Sequence, residues 1–338
     1  MDASALALFW AGVIAAAMLV YVILDGFDLG VGVLFGTTRE EEARAQMMNT
    51  VAPFWDGNET WLVIVGAGLY AAFPVVYAVF LGAFYIPVLL LLFGLIFRGV
   101  AFEFRHRSRG MRWLWDWGFF LGSAVAAFVQ GAAIGAMMRG IPVADNQYAG
   151  GAFDWVAPFP VLTGIGLVLG YALLGAGWIA LKSEGGLREW AFARIPWLAG
   201  AVLAVLAVAV SLTLDHSAVA KSHWGDRRWG IVFPVIGVLA LAGILIGTRR
   251  KYDLLPFAMT ALFFLCAFLT LGVMFWPYMI PYSVTVADAA APEASLGFLF
   301  YGAVIVLPVV ATYTVHVYWV FRGKAHEGYG ESAKPGRR

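Results

Sequence analysis

Residues 5–35 read ALALFWAGVIAAAMLVYVILDGFDLGVGVLF, an apolar run whose only charges are Asp25 and Asp28. A helix rises about 1.5 Å per residue and the hydrocarbon core of a bilayer is about 30 Å thick, so roughly 20 apolar residues cross it. The run from Ala5 to Leu24 meets that length, and the chain stays apolar from Leu29 to Phe35. No basic segment precedes it and Asp2 does, so it reads as a retained membrane helix and not as a signal peptide. The stretch sets both themes of the protein: a membrane-spanning helix, and two carboxylates within it.

The same pattern recurs along the chain. Of 338 residues, 62% are hydrophobic and 13% charged, and the mean hydropathy is +0.82. A soluble domain of this size needs far more polar surface. Apolar runs between polar breaks predict spans near 6–34, 58–78, 80–103, 114–138, 157–180, 196–214, 230–248, 255–276 and 297–321. The fold class is therefore all-α, a polytopic integral membrane protein with about nine transmembrane helices. Residues 1–321 form a single transmembrane domain, followed by a short polar tail over 322–338. The second and third spans are separated least, by Phe73-Pro74 and a few apolar residues.

Charge distribution orients the chain. Of 22 lysines and arginines, only Arg139, Lys221, Arg227 and Arg228 fall between spans on one side, and Arg98 lies within a span. All others fall on the opposite side, including Arg105, Arg107, Arg109 and Arg112 in one short loop. The positive-inside rule then places the N-terminus outside and the C-terminus in the cytoplasm. An eight-span arrangement would reverse the N-terminus and put 36–57 outside; that segment holds only Arg39 and Arg44, so the rule decides it weakly. The formal net charge of +1 offers nothing to nucleic acid. Trp113, Trp115, Trp229, Trp276, Tyr278, Tyr318 and Trp319 stand at span ends as interface anchors. The single cysteine, Cys266, excludes an intrachain disulfide and reads as small apolar filler.

Three stretches carry polar groups that lipid penalises. Asp25 and Asp28 stand at i and i+3 on one helix face. Each costs about 2.5–3.5 kcal/mol at mid-bilayer, unless it reaches headgroup water or a polar partner on a neighbouring helix or ion path. Asn49, Asp56, Asn58, Glu59 and Thr60 open the second span. Helix capping explains one carboxylate there, whereas five polar groups indicate a hydrated pocket. Arg98 either snorkels to the headgroups or pairs with an acid such as Asp28 or Asp56. Haem ligation is poorly served, because His316 is the one histidine inside a span; His106, His216, His223 and His326 lie in loops or the tail. No CxxCH, GxGxxG, Walker or HExxH motif occurs, and no metal site is expected.

DGFDLGVG over 25–32, APFWDGNETWLV over 52–63 and FRGVAFEFR over 97–105 together resemble subunit II of the cytochrome bd ubiquinol oxidases. That resemblance implies two four-helix bundles plus one peripheral helix, in the bacterial inner membrane. It implies a heterodimer with subunit I, which would carry two b-type haems and haem d and bind the quinol, with lipids and a small single-helix accessory subunit as further partners. No catalytic redox centre is expected in this chain. The resemblance also matches Asp56 to the acid of the WDGN motif, linked to a cytoplasmic proton path, and Asp25 and Asp28 to the first-span pair. Glu59 carries less weight, and Trp55, Asn58 and Arg98 are polar or structural support. Two other classes stay open: a cation-coupled secondary transporter using the paired acids, and a purely structural membrane subunit.

Overall fold

The computed structural model describes residues 3–108, 110–215 and 227–325. His216, His223, His326, Arg109, Lys221 and most of the polar tail lie outside them. Among the described residues the chain is all-α except for two short antiparallel ribbons. Eight helices are long and apolar enough to cross a membrane. In chain order the helices are α1 (Ala3–Phe35), α2 (Glu41–Val51), α3 (Trp55–Ala72), α4 (Pro74–Phe104), α5 (Arg112–Arg139), α6 (Pro158–Lys182) and α7 (Gly185–Asp215). They continue with α8 (Val232–Arg249), α9 (Leu254–Phe275), the short α10 (Val286–Ala289) and α11 (Glu293–Val320).

The expected second span forms as α3 but is the exception to the eight. Its first turn holds Asp56, Asn58 and Glu59, which lowers its apolar character. The boundary between the second and third spans also moves. Phe73 leaves helical geometry (φ −137°, ψ 65°) and Pro74 occupies the first turn of α4. Proline needs no hydrogen-bond acceptor there and disfavours helix in the residue before it, so the break falls at 73. The third span bends at Phe84 (φ −119°, ψ 27°), three residues before Pro87. Pro87 cannot donate to the carbonyl one turn back, which is the usual cause of such a kink. The 36–57 segment is not a plain loop: it contains α2, whose Met47, Met48 and Val51 are buried.

Helices α1, α3, α4 and α5 pack as one ring, and α6, α7, α8 and α9 as another. The rings meet where α6 lies against α1 and α5, while α11 packs beside α1 and α3. At one end of the bundle sit α2 and the basic helix termini. At the other are ribbon β1–β2 (Val143–Ala144 with Gln147–Tyr148) and ribbon β3–β4 (Tyr278–Ile280 with Val284–Thr285). The α2 end is tied by charge. Arg44 and Arg105 both pair with Asp116, at 2.8 and 2.6 Å, and Arg105 also holds Glu41 at 2.8 Å. Across it, Lys324 and Arg188 grip Asp253 at 2.6 and 2.8 Å. Partial burial disfavours the charged form of Asp253, yet those two cations hold its carboxyl below the usual range.

Glycines set the contact between the rings. A Cβ on Gly30 would lie 1.8 Å from the Tyr171 carbonyl oxygen, and one on Gly175 would lie 2.5 Å from the Gly30 carbonyl carbon. Lipid gives no hydrophobic drive for helices to associate, so such close backbone packing supplies the attraction. Gly30→Ala therefore forces α1 and α6 apart, and the cost should exceed the about 1–3 kcal/mol typical of overpacking. Gly200 has open space at its Cβ position. Melting temperature and monodisperse yield in detergent should fall sharply for Gly30→Ala and stay near wild type for Gly200→Ala.

Candidate functional site

Four helices converge on one buried ion cluster near the α2 end of the first ring. Asp25 and Asp28 project from α1 and are both fully buried, as is Arg98 of α4. Arg98 Nη1 donates to Glu59 Oε1 at 2.9 Å and to Asp25 Oδ1 at 3.3 Å, and its Nη2 stands 3.7 Å from Asp28 Oδ2. Arg98 therefore pairs and does not snorkel. Its partners are the first-span acids and Glu59, and Asp56 is not among them.

Asn58 is the neutral hub of the cluster. Its amide nitrogen donates to Asp28 Oδ2 at 2.6 Å and to the Leu24 carbonyl at 3.2 Å. Its side-chain oxygen accepts from the Tyr318 hydroxyl of α11 at 3.0 Å. Asn58 thus connects α3 to both α1 and α11. Trp55 stacks on Phe102, with ring centroids 5.1 Å apart and planes 7° from parallel, while Gly99 makes room for its edge. The Phe102 ring lies 6.0 Å below the Arg98 guanidinium, which fixes that side chain from one face.

Exposure is graded along the cluster. Asp56 is exposed, the Glu59 side chain is 25% exposed, and Asp25 and Asp28 are completely enclosed. Three carboxylates share one guanidinium in a low-dielectric site. With all three ionised against one guanidinium, the cluster would carry net negative charge among the described residues. Asp25 Oδ2, Asp28 Oδ1 and Arg98 Nε have no protein partner although fully buried. Buried polar atoms in that state are usual sites for internal water.

Sequence reasoning identified Asp25, Asp28, Asn58, Glu59, Arg98 and Trp55, and folding brings all six together. Asp56 stays at the rim. Tyr318 was missed because its place beside Trp319 marks an interface anchor. A neighbouring line that ties α1 to α5 and α6, in which the Tyr171 hydroxyl donates to Gln130 and Gln130 to Tyr21, was also missed. The available signals were Tyr21 one turn before Asp25 on the same face, and Gln130 as a lone amide in the apolar α5.

Among the described residues, no buried histidine stands ready as an axial haem ligand. His106 and His316, the two histidines among the described residues, are both exposed. The buried sulfur groups of Met47, Met48 and Cys266 are packed in the core. A groove of about 430 Å³ beside Tyr148 is lined by Gly82, Ala83, Tyr85, Ile86, Gly150 and Ala152; it holds no His, Met or Cys, and the Tyr148 hydroxyl donates to Asp154 Oδ2 at 2.7 Å. Among the described residues no three His, Cys, Asp or Glu side chains are placed to hold a metal ion.

Residues 6–321 match the family described as cytochrome bd terminal oxidase subunit II. The chain is 30% identical to cytochrome bd-I ubiquinol oxidase subunit 2 of Escherichia coli (strain K12), covering 96% of each chain. It is 32% identical to cytochrome bd ubiquinol oxidase subunit 2 of Bacillus subtilis (strain 168), covering 93% of this chain and 95% of the relative. In fold it is similar to a chain of the bd oxidase from Geobacillus thermodenitrificans, with a TM-score of 0.76 over 94% of this chain and 98% of that one, at 15% identity.

The cluster predicts the behaviour of Arg98 variants. Arg98→Ala leaves the buried Asp25 and Asp28 and the partly exposed Glu59 without their cation, and breaking a buried pair in this way costs about 3–5 kcal/mol. Yield of folded protein and melting temperature should both drop. Arg98→Lys keeps the charge but not the fork of donors and should recover only part of the loss.

Proposed function

This chain belongs to the cytochrome bd terminal oxidase subunit II family and is a subunit of a quinol oxidase complex in the bacterial inner membrane; on that premise we propose that it delivers protons and scaffolds the haem-bearing subunit. The observation that carries the proposal is the graded row of acids around the buried Arg98. Asp56 at the exposed rim collects protons, Glu59 passes them inward, and the enclosed pair Asp25 and Asp28 holds them against the guanidinium. Carboxylates suit this task because each can take up and release a proton.

Orientation follows from charge. The basic termini gather at the α2 end, so that end faces the cytoplasm, with the N-terminus outside and the C-terminus inside. Protons for reducing dioxygen to water are then drawn from the cytoplasmic side. The complex uses haem and quinol. In line with the family resemblance, we assign two b-type haems, haem d and the quinol site to subunit I. Exposed apolar side chains of α3 and α4, among them Val63, Tyr70, Phe93 and Ile96, supply a surface for that partner.

Two outcomes test the reading in the purified complex with subunit I. Asn is nearly isosteric with Asp but cannot carry a proton at physiological pH. Asp28→Asn should lower quinol-driven oxygen consumption at least about tenfold, or roughly 1.4 kcal/mol on the limiting barrier. Asp56→Asn should lose less, since Glu59 is itself partly exposed, and haem content should stay near normal in both. Wild-type turnover in the Asp25, Asp28 and Asp56 triple Asn variant would reduce the acids to structural contacts. The second outcome concerns haem: expressed without subunit I, this chain should show no stoichiometric haem spectrum.

A further inference from the structure

Helix α11 reaches the ion cluster through the Tyr318 hydroxyl, which the proton path proposed above does not use. The residue it meets is the fully buried Asn58. The orientation of the Asn58 amide is fixed by the Leu24 carbonyl, 3.2 Å from its Nδ2. A carbonyl only accepts, so the NH2 must face Leu24 and the amide oxygen must face away, whatever the charge on Asp28. The second N–H then reaches Asp28 Oδ2 at 2.6 Å. At the other end the amide oxygen only accepts, so Tyr318 donates to it, at 3.0 Å. The flipped amide would set its oxygen against the Leu24 carbonyl. Tyr318 therefore serves the acceptor of a side chain whose two donors are committed to α1.

The Tyr318 ring is seated independently of its hydroxyl. Its centroid lies 4.6 Å from that of Phe54, and Phe27 and Trp178 meet the ring edge-on at 6.4 and 6.2 Å. Just beyond Tyr318 the chain leaves α11 and is tied down across the end of α6. Lys182, 4% exposed, donates through Nζ to the carbonyls of Phe321 and Gly323. Its ammonium lies 5.0 Å from the Trp178 ring and 5.4 Å from Phe54, two of the rings that flank Tyr318. Lys324 returns the tie by donating to the Ser183 carbonyl at 3.1 Å and to Asp253 Oδ2 at 2.6 Å. The Ala325 N–H also donates to the Lys182 carbonyl, at 2.8 Å. By contrast, of the 28 residues of α11 just Leu296 and Ala303 are buried. This end of α11 is therefore held by the latch more than by helix packing.

We propose that Tyr318 is a positioning residue: its O–H fixes the Asn58 amide that holds the Asp28 carboxylate in place, and the Lys182–Lys324 latch keeps Tyr318 in reach. The seating of α11 then bears on an acid of α1 through one side chain of α3. This role rests on the proton-delivery reading, and variants of the purified complex with subunit I separate the two. Tyr318→Phe keeps the ring and removes one neutral hydrogen bond, so kcat for quinol-driven oxygen consumption should fall roughly two- to tenfold. KM for quinol and haem content should not move. In the Asp28→Asn background, Tyr318→Phe should add no further loss, because the two act as one unit. Lys182→Met leaves every atom of the cluster in place and should act in the same direction, more weakly; it decides the matter if Tyr318→Phe assembles poorly. Trp10→Phe removes the bond from Nε1 to the Leu296 carbonyl at the opposite end of α11 and should leave turnover unchanged. With isotope-labelled asparagine, one amide carbonyl infrared band should rise in frequency in Tyr318→Phe as the oxygen loses its donor. An unmoved band or wild-type turnover in Tyr318→Phe, a loss that adds to that of Asp28→Asn, or an equal loss in Trp10→Phe overturns the positioning role and leaves proton delivery standing. Wild-type turnover in Asp28→Asn rejects proton delivery, and this role with it.

Discussion

A guanidinium with no solvent contact, held among three carboxylates, constrains nearly everything around it. Arg98 can sit at full burial only because Asp25, Asp28 and Glu59 reach it from two other helices. Moving α1, α3 or α4 by a few ångströms would strand charge in a medium that cannot solvate it, at several kcal/mol per ion. The cluster therefore acts as a register pin for the first ring. Asn58 extends the pin to α11 through Tyr318, and a separate line from Tyr21 through Gln130 to Tyr171 ties α1 to α5 and α6. A polar network of this kind need not add net stability over an apolar core. What it adds is one arrangement in which all members are served.

Close backbone packing makes the pin reachable. The glycines of the first-span motif lie where α1 is crossed by its neighbours: Gly26 and Gly30 against Tyr171, and Gly32 against Ser123. A similar pair, Gly94 and Gly122, brings α4 onto α5 just ahead of Arg98. Acids and glycines alternate in DGFDLGVG because two requirements share one stretch of helix. Charged groups must meet a partner on one side, while the backbone must be approached on another.

The two ends of the bundle are finished by different physics. At the α2 end, ion pairs join elements remote in sequence, such as Arg105 with Glu41 and Asp116, and Lys324 with Asp253. At the other end, short ribbons close the connections, and the Asp145-Asn146 turn of the first takes positive φ at both residues. Near the charged end, Asp56 and Glu59 lie between the surface and the enclosed pair Asp25 and Asp28.

Hydrophobic run length, basic-residue asymmetry and three motifs determined the helical membrane class, the approximate span positions and six members of the ion cluster. These are legible because lipid imposes one rule on every segment: about 20 apolar residues per crossing, with any interior charge as a marked exception. Tertiary structure decided the rest. It moved the break between the second and third spans to Phe73, turned 41–51 into a helix, and gave Arg98 the partners Asp25, Asp28 and Glu59 in place of Asp56. It also recruited Tyr318 and the Tyr21–Gln130–Tyr171 line, whose members are 41 to 260 residues from their partners. Spacing along one helix says which side chains share a face. Which face meets which neighbour depends on where glycines let the backbones touch, and that exists only once the helices have packed.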